Sequence, residues 1–385
     1  MKFRGYPRAD GSVGVRNHVI VLSSVVCASR VAEMLAAEIP DVIPIVHQHG
    51  CSQLGRDAQQ TLRTLIGIGS NPNVAAVLVV GLGCETLHAS KVAEGIARTG
   101  KPVAALVIQD EGGTIKTYRK ALPVLRKMLA HARKLRRQPC DLSKLWVATE
   151  CGGSDACSGL AANPAVGAAM DLIIKGGGNV MLSETTEFIG AEHLLARQCA
   201  SPALGRRLVD ITLATENAAK ACGVDIRGAN PAPGNIQGGI TTIEEKSLGC
   251  TYKAGTMPIQ EVLDYAERPS KRGLVVMDTP GNDVESNIGM LAGGAQIIVF
   301  TTGRGSPTGS PIAPVIKVAS NTAMFTRMRE NMDINAGAIM DGRESIPQVG
   351  RRIADMVHRV AEGARPKAER LGHREFGIYR IARTF

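Results

Sequence analysis

The stretch "VAAVLVVG", residues 74–81, decides the fold class of this chain. Its residues are apolar or glycine throughout, without the alternation of a half-exposed strand, so the pattern predicts a strand buried on both faces. Further apolar runs lie at 18–26, 42–47 and 102–109, and helical patterns lie at 28–39, 56–69, 87–99 and 116–137. Buried strands that alternate with helices predict a doubly wound α/β domain with right-handed crossovers.

A second series of elements follows a linker-like stretch at 136–145. Strand patterns lie at 145–149, 179–184, 273–278, 296–301 and 315–320, and helical patterns at 164–175, 191–222, 258–268, 322–331 and 345–363. The Gly/Pro/Asn-rich segment 227–239 is long enough to indicate a functional or disordered loop. We therefore predict two doubly wound, mainly parallel-sheet α/β domains, residues 1–139 and 140–385. Their polar loops are expected to face one active cleft at the C-terminal ends of the strands.

The composition is typical of a soluble globular protein, with 385 residues of which 44% are hydrophobic and 21% charged. No apolar stretch approaches the roughly 18 residues of a membrane span. The first residues contain no apolar segment of the kind that a secretory signal needs. Nine cysteines at irregular spacings argue against a disulfide framework. These features predict a cytoplasmic protein without a membrane partner.

The formal net charge of +10 comes in large part from the basic helical pattern 116–137. Basic surfaces that bind single-stranded nucleic acid usually carry stacking aromatic residues, and this segment has only Tyr118. We therefore interpret it as a solvated helix face and expect no nucleic-acid partner. A positive field would favour the approach of small anionic substrates.

Polar or glycine-rich residues follow nearly every predicted strand. In the first half these are "HQHGC" (47–51), "GLGCE" (81–85) and "QDEGG" (109–113); in the second half they are "ECGGSDACSG" (150–159), "SETTEF" (183–188), "DTPGND" (278–283), "TTGRGSPTG" (301–309) and "SNT" (320–322). Ligands bind beyond the carboxyl ends of strands in open α/β sheets. None of these loops has the spacing of a dinucleotide, P-loop or structural zinc motif.

Cysteine, histidine and glutamate occur together at several of these strand ends. Cys51, Cys84 and Cys151 each follow a predicted strand within a few residues. A single cysteine in such a place is more often an inert core residue. The joint occurrence of the three residue types favours a metal site over simple packing.

Ten long and unusual stretches resemble the catalytic portion of the altronate/galactarate dehydratase family. They are "GYPRADGSVGVRN", "GCS", "NPNVAAVLVVGLGCE", "CGGSDACSGLAANPAVG", "LSETTEFIGAEHLL", "NPAPGNIQGGITTIEEKSLG", "MDTPGND", "FTTGRGSPTG", "KVASNT" and "MDINAG", in order between about residues 4 and 340. The closing "GHREFGIYR" is similar to a related branch, the large subunit of sulfolactate sulfo-lyase. Single-chain members carry a small antifreeze-like (SAF) domain first. The resemblance therefore implies the large subunit of an oligomeric enzyme that acts with a separate small SAF-domain subunit, which is expected to cover the mouth over residues 47–51.

The resemblance implies a hydro-lyase that removes water from a small anionic hydroxy acid with the help of Fe²⁺ or Mn²⁺. A substrate carboxylate would pair with the cationic residues Arg16, Arg304 and Lys246, and substrate hydroxyls with Asn17, Thr301, Thr302 and Asn321. The candidates for proton transfer are His49, His193 and Lys246. The candidate metal ligands are Cys51, Cys84, Glu85, Cys151, Glu184 and Glu187. Three converging cysteines would instead suit an iron–sulfur cluster with an open iron.

Two alternatives to sugar-acid dehydration stay open. One is carbon–sulfur cleavage of a sulfonated hydroxy acid such as sulfolactate. The other is a subunit that binds sugar acids without catalysis, which the retention of acid, base and metal groups disfavours. For Lys246 the structural alternative is a salt bridge to Glu244 or Glu245. The sequence does not specify the stereoisomer, because discrimination at one hydroxyl depends on contact geometry.

Overall fold

The computed structural model describes residues 2–385, and their parallel sheets confirm the α/β class. The strands are β1 Lys2–Pro7, β2 Val13–Gly14, β3 His18–Ser23, β4 Val42–Ile45, β5 Val74–Gly81, β6 Val103–Val107, β7 Gln138–Asp141, β8 Trp146–Cys151, β9 Asn179–Leu182, β10 Ile259–Leu263, β11 Leu274–Met277, β12 Ile297–Thr302, β13 Val315–Ala319 and β14 Ile334–Asn335. The helices are α1 Ser29–Glu38, α2 Gly55–Ser70, α3 Ala89–Ala97, α4 Thr114–Lys134, α5 Asn163–Lys175, α6 Glu192–Gln198, α7 Pro202–Ala221, α8 Ile226–Ala229, α9 Pro233–Gln237, α10 Ile243–Thr251, α11 Asp283–Ala292, α12 Thr322–Arg327, α13 Ile346–Ala361 and α14 Lys367–Leu371.

The first half forms a four-stranded parallel sheet in the order β4-β3-β5-β6. All eight residues of β5 are buried, as its unbroken apolar pattern predicts. The chain leaves β3 towards β4 on one side and later continues from β5 to β6 on the other. The loops after β3 and β5 therefore diverge and leave a crevice at the C-terminal edge.

The second half forms a seven-stranded parallel sheet in the order β10-β11-β9-β8-β12-β13-β14. Its direction of winding reverses between β8 and β12, which are paired in register from Ile297 to Thr301. A ligand site in a doubly wound sheet is expected at such a reversal. The loops that begin at Gly152 and Gly303 flank this point.

Three segments differ from the sequence-based prediction. Residues 258–268, expected to be helical, contain the edge strand β10, because apolar residues spaced i, i+3, i+4 also suit a short strand against β11. The helix expected at 191–222 is divided into α6 and α7, since Pro202 starts a new helix with Ser201 as its cap. The linker contains β7, which pairs antiparallel with β1.

The hydrophobic core consists of a cluster on the outer face of each sheet and a third cluster that the two sheets share. Helices α1 and α4 cover the outer face of the first sheet, and α5 and α13 cover the outer face of the second. Helices α2 and α11 lie between the sheets, and their apolar residues pack in a cluster that includes strands of both. A Cβ atom at Gly67 of α2 would lie 2.5 Å from the carbonyl oxygen of Ala292 in α11, so only glycine allows this close approach.

Two buried asparagines join the halves of the molecule. Asn71 Nδ2 donates to the carbonyl oxygens of Leu291 and Ala295, each at 2.8 Å. Asn73 Nδ2 donates to the carbonyl oxygens of Gln296, at 2.9 Å, and Ile312, at 3.0 Å. Both asparagines precede β5, so these bonds tie that turn to the end of α11 and to the residues before β12 and β13.

The segment after α14 runs back across both halves. Arg380 forms an ion pair with the fully buried Asp57 of α2, with Nη2 and Oδ2 at 2.7 Å. The Ile381 amide donates to Asp57 Oδ1 at 2.9 Å, and Gln60 Nε2 donates to the Tyr379 carbonyl oxygen at 2.8 Å. Within residues 2–385 no helix combines the length and apolar character needed to cross a membrane.

Candidate functional site

Two cysteines and a glutamate meet where the winding of the second sheet reverses. Cys151 ends β8, Glu184 follows β9, and Cys250 lies in α10. One ligand atom from each lies within 4.8 Å of the other two, and all three residues are buried. The Sγ atoms of Cys151 and Cys250 are 3.8 Å apart, and Cys151 Sγ is 3.5 Å from Glu184 Oε1.

Glu184 owes its position to an unusual backbone conformation. Its φ of 70° and ψ of 66° are left-handed, a region in which a residue other than glycine is uncommon and which often marks a functional site. The Glu184 amide donates to Thr279 Oγ1 at 2.7 Å, and its Oε2 accepts from the Cys151 amide at 2.9 Å. The surrounding loops therefore hold the carboxylate in place.

Lys253 places a positive charge beside this group. Its side chain is fully buried, and Nζ donates to Glu184 Oε2. Burial acts to lower the pKa of Lys253, but the neighbouring Cys151, Cys250, Glu184 and Glu150 raise it well above its ordinary value. The hydrogen bond with Cys250 and burial raise the pKa of the Cys151 thiol. Without a metal the cluster is thus a thiol pair beside a carboxylate–ammonium pair.

The donor atoms of Cys151, Glu184 and Cys250 fit a thiophilic divalent ion. Two sulfurs and one carboxylate oxygen suit Fe²⁺ better than ions that prefer an all-oxygen shell. Three protein ligands leave a coordination position for a substrate. Bound metal lowers the pKa of a coordinating thiol, so the charge of two thiolates and a carboxylate would be balanced by the ion together with Lys253.

Lys246 stands at the entrance to this cluster. Its Nζ donates to Glu187 Oε1 at 2.8 Å and to Asn230 Oδ1 at 2.9 Å, so the segment 227–239 contributes to the site. The alternative partners of Lys246, Glu244 and Glu245, are exposed and bind Arg227 and Thr241. Lys246 also lines a cavity of about 210 Å³ together with Asp155, Ser158 and Asn163.

The predicted hydroxyl-binding residues of the second half shape the loops. Thr301 Oγ1 donates to Asn163 Oδ1 at 2.7 Å, and Thr302 Oγ1 accepts from the Gly305 and Ser306 amides at 2.9 and 3.0 Å. Asn321 Nδ2 donates to Asp155 Oδ2 at 2.8 Å, while Asn321 Oδ1 caps α12. These side chains are used internally, so the geometry gives their predicted substrate contacts no support. The guanidinium of Arg304 is exposed and donates to Gln237 Oε1 at 3.2 Å.

The loops of the first half are joined by hydrogen bonds at the edge of their sheet. His47 Nδ1 accepts from the His49 amide at 3.1 Å, so Nε2 carries the proton and donates to the Ser23 carbonyl oxygen at 2.8 Å. Burial lowers the pKa of His47 to about 4. Burial also raises the pKa of Glu85, but hydrogen bonds from the Gly83 amide and Ser24 outweigh this and lower it. Glu85 is thus engaged in shaping its loop.

The proposed ligands of the first half stay apart from the second-half cluster. Within residues 2–385, the only three-residue group of close ligand atoms is Cys151, Glu184 and Cys250. Cys51 and Cys84 are exposed, and Glu187 is bound by Lys246 instead. The geometry therefore gives no support to an iron–sulfur cluster that joins Cys51, Cys84 and Cys151.

Three further predicted residues lie outside the cleft or are committed elsewhere. Arg16 is buried and pairs with Glu369, with Nη2 and Oε2 at 2.7 Å, and it also donates to three carbonyl oxygens. Asn17 accepts from Arg8 at 2.9 Å and donates to the Ala132 carbonyl oxygen at 2.8 Å. His193 is exposed on α6. Arg16 ties the first half to the C-terminal region and uses all five of its N–H groups, whereas both bonds of Asn17 stay within the first half.

The start of α11 connects the two regions. Glu285 lines a cavity of about 500 Å³ together with His47, His49 and Phe376. Two positions earlier in the helix, the pKa of Asp283 is affected by the charges of Glu184, Glu187 and Lys246. The loops of both sheets therefore open towards one cleft around the first turn of α11.

Sequence reasoning missed Cys250 and Lys253. Together with Lys246 they are spaced i, i+4 and i+7, which places them on one face of α10 and the short 3₁₀ helix Tyr252–Ala254. The sequence does contain a pattern that could have indicated these residues, because two lysines and a cysteine fall on one helix face directly after "TTIEE". The backbones of Gly159 and Gly249 are in close contact, which brings this helix onto the loop after β8.

Two family models match the chain. One describes the C-terminal part of D-galactarate/altronate dehydratase and matches residues 142–384, and the other describes the second domain of D-galactarate dehydratase/altronate hydrolase and matches residues 5–133. The (2R)-sulfolactate sulfo-lyase subunit beta of Chromohalobacter salexigens is 39% identical over 98% of this chain and 97% of that subunit. The altronate dehydratase of Bacillus subtilis is 34% identical over 99% of this chain and 78% of its own. The galactarate dehydratase (L-threo-forming) of Escherichia coli is 37% identical over 94% of this chain and 73% of its own.

Proposed function

The chain belongs to the D-galactarate/altronate dehydratase family and is a hydro-lyase, and from this premise we propose that it dehydrates a sugar acid such as altronate or galactarate to a 2-keto-3-deoxy acid. The observation that carries the proposal is the cluster Cys151–Glu184–Cys250 beside Lys246 and Glu187 at the reversal of the sheet. It combines candidate metal ligands with a lysine ammonium and its carboxylate partner in one cleft.

Elimination of water begins with removal of a weakly acidic proton from the carbon beside the substrate carboxylate. Negative charge then develops on that carboxylate, and cations fixed nearby stabilise it. Lys246 and Arg304 are the side chains that supply such cations. Lys246 uses two of its three ammonium protons on Glu187 and Asn230, so one is free to bind the substrate or protonate the leaving hydroxide.

We also propose that Fe²⁺, or less favourably Mn²⁺, binds at Cys151, Glu184 and Cys250. A bound divalent ion would act as a Lewis acid for the developing charge. The chain's own residues keep the site ordered around it. Thr279 and the Cys151 amide orient Glu184, and the burial of all three ligands excludes water.

Carbon–sulfur cleavage of sulfolactate is the second candidate. It is favoured by the match to the sulfo-lyase subunit beta, which covers 97% of that subunit against 73–78% of the dehydratases. The same first step, proton removal beside a carboxylate, serves both reactions, and only the leaving group differs. The name of that relative, a subunit beta, supports our proposal that this chain acts with a separate partner subunit. We propose that this partner is small, that the two form an oligomer, and that the partner covers the cleft.

We propose the cytoplasm as the place of the reaction. All nine cysteines are free, and two of them form the buried thiol pair Cys151–Cys250. A reducing compartment would keep these thiols available for a metal.

Anaerobically purified protein, alone and with a co-expressed small partner, should be assayed with altronate, galactarate and sulfolactate. We expect formation of a 2-keto-3-deoxy acid, loss of activity on chelation, and recovery with Fe²⁺. Cys250→Ser should lower bound iron, whereas Cys222→Ser, at an exposed cysteine outside the site, should leave it unchanged. Release of sulfite alone would instead select the second candidate, and full activity without any transition metal would contradict the metal proposal.

A further inference from the structure

Asp283, the first residue of α11, carries a carboxylate that no earlier assignment uses. The largest influences on its pKa are burial and neighbouring charges, and none of these is a hydrogen bond. A Cβ atom at Gly152 would collide with this carboxylate, so Asp283 lies directly against the residue that follows Cys151. Its unbound oxygens thus stand beside the proposed metal ligands, where a substrate would be bound.

Lys317 lies behind Asp283. It belongs to β13, is fully buried, and its Nζ has no hydrogen-bond partner within residues 2–385. Nζ is 3.3 Å from the centre of the Phe300 ring, and Cζ of that ring would lie 2.6 Å from a Cβ atom at Gly152. The ammonium, the ring and the Asp283 carboxylate therefore form a short column that ends at the cleft.

An ammonium in this position is costly, because burial of a charge without a hydrogen bond is strongly unfavourable. A hydrophobic residue of the same length, such as methionine, would fill the space without that cost. The aromatic face of Phe300 compensates part of it. A role in the site explains why a charge is present.

We propose that Asp283 is the general base that removes the proton beside the substrate carboxylate, and that Lys317 is a positioning residue that keeps this base ionised. The proposal rests on the proposed function and deepens it. The carboxylate takes the proton as the C–H bond breaks, the electron pair of that bond forms the new C=C bond, and the C–O bond breaks with its pair on hydroxide. Lys246 gives that hydroxide a proton, and proton transfer from Asp283 to Lys246 restores both groups.

The charges around the pair agree with these roles. Burial, and after it the carboxylates of Glu184 and Glu187, raise the pKa of Asp283 to about 6. The ammonium groups of Lys317 and Lys246 act in the opposite direction and lower it. Burial lowers the pKa of Lys317 to about 7. Four neighbouring carboxylates limit this decrease because they favour the charged lysine: Asp283, Glu375, Glu150 and Asp333. A base whose pKa lies near the working pH is the most effective in proton transfer.

Asp283→Asn tests the base directly. We expect kcat to fall by about 100- to 10,000-fold with little change in KM, together with loss of exchange of the substrate's α-hydrogen in D₂O. Asp355→Asn, at an exposed site on α13, is the matched control and should retain full activity and exchange. Wild-type exchange in Asp283→Asn would overturn the assignment.

Lys317→Met and Lys317→Arg test the positioning residue. Loss of the positive charge makes Asp283 easier to protonate, so the acid limb of the kcat/KM profile should move to higher pH in Lys317→Met. Lys317→Arg should keep the wild-type limb. A purely structural role would lower activity equally at every pH, and an unshifted limb in Lys317→Met would overturn the proposal.

A second readout does not depend on turnover. The interaction between Asp283 and Lys317 can be measured by urea unfolding of Asp283→Asn, Lys317→Met and the double variant, since coupled residues give non-additive changes. If the wild-type enzyme turns over none of the three acids, the proposed function fails, while non-additive unfolding still supports the pair. Additive changes would contradict the role of Lys317 whatever the substrate is.

Discussion

Glu184 is the residue on which most contacts of the site converge. It accepts from the Cys151 amide and from Lys253, and its own amide is fixed by Thr279. A left-handed residue that carries a Cβ atom costs about 1–3 kcal/mol, so the surrounding bonds must outweigh that strain. The conformation places a buried charge where it serves the site.

The pair Glu184–Lys253 should therefore dominate the stability of the cleft. In Glu184→Gln the Lys253 ammonium stays buried without a charged partner, and we expect the free energy of unfolding to fall by about 3–5 kcal/mol. The double variant Glu184→Gln/Lys253→Met should recover part of this loss. Urea unfolding is the measurement, and Glu33→Gln, from an exposed pair with Arg30, should change the value by less than about 0.5 kcal/mol. Equal effects of the two single glutamate variants would contradict the prediction.

His47 should make the protein less stable in mild acid. The unfolded chain takes up a proton at this side chain below its ordinary pKa of about 6.5, whereas burial keeps the folded histidine neutral until about pH 4. Unfolding thus binds a proton in this window, so the free energy of unfolding falls as the pH drops from about 6.5 to 4. The contribution of this one group is on the order of 3 kcal/mol.

Denaturation of His47→Gln at several pH values measures that contribution. The slope of stability against pH should be shallower than in the wild type between about pH 6.5 and 4. Part of the slope will persist, because burial also lowers the pKa of His18, to about 3. His193→Gln, at an exposed site, should keep the wild-type slope; an unchanged slope in His47→Gln would show that His47 is not the group responsible.

At the scale of elements, the close contact of α2 and α11 should be sensitive to one methyl group. Gly67→Ala would improve helix propensity by about 1 kcal/mol, yet its Cβ would lie 2.5 Å from the Ala292 carbonyl oxygen. We expect a net loss of about 1–3 kcal/mol from overpacking, measured by thermal or urea unfolding. Gly234→Ala in α9, where a Cβ meets no atom within 4 Å, should be neutral or stabilising. A stabilising Gly67→Ala would refute this account of the interface.

Long apolar runs made most strands predictable from the sequence. Strand β5 is buried along its whole length, so its hydrophobic pattern is unbroken. Strand β10 was missed because Ile259, Val262 and Leu263 also fit the period of a helix, and only pairing with β11 decides between the two. Such pairing depends on residues distant in sequence, which a local pattern does not include.

The candidate site was predictable only in part, for a related reason. Cys151 and Glu184 end neighbouring strands, so their proximity follows from the sheet. Cys250 and Lys253 arrive on a helix about one hundred residues after β8, through the contact of Gly159 with Gly249. Cys51 has the same local pattern as Cys151 but belongs to the other sheet. Sequence identifies the residue types at strand ends, and tertiary packing selects which of them meet.

At the scale of the whole molecule, the segment after α14 should depend on one ion pair. Arg380→Met leaves the fully buried Asp57 without its cation, and the Ile381 amide should then exchange roughly tenfold faster or more. Hydrogen exchange of peptides that cover residues 376–385 is the measurement. Arg383→Met, which removes no ion pair, is the control, and equal exchange in the two variants would contradict the prediction.

The layer formed by α2 and α11 between the sheets also has a consequence for the evolution of this protein. On its inner face the first sheet is covered by α2 and the second sheet by α11, and these two helices pack against each other. Each half therefore leaves an apolar helix surface that only the other half covers. Recombination between relatives near residues 133–142 would join mismatched surfaces unless positions such as Gly67 and Ala292 came from the same parent. We therefore expect the two segments to have been inherited together, with substitutions in α2 accompanied by compensating ones in α11.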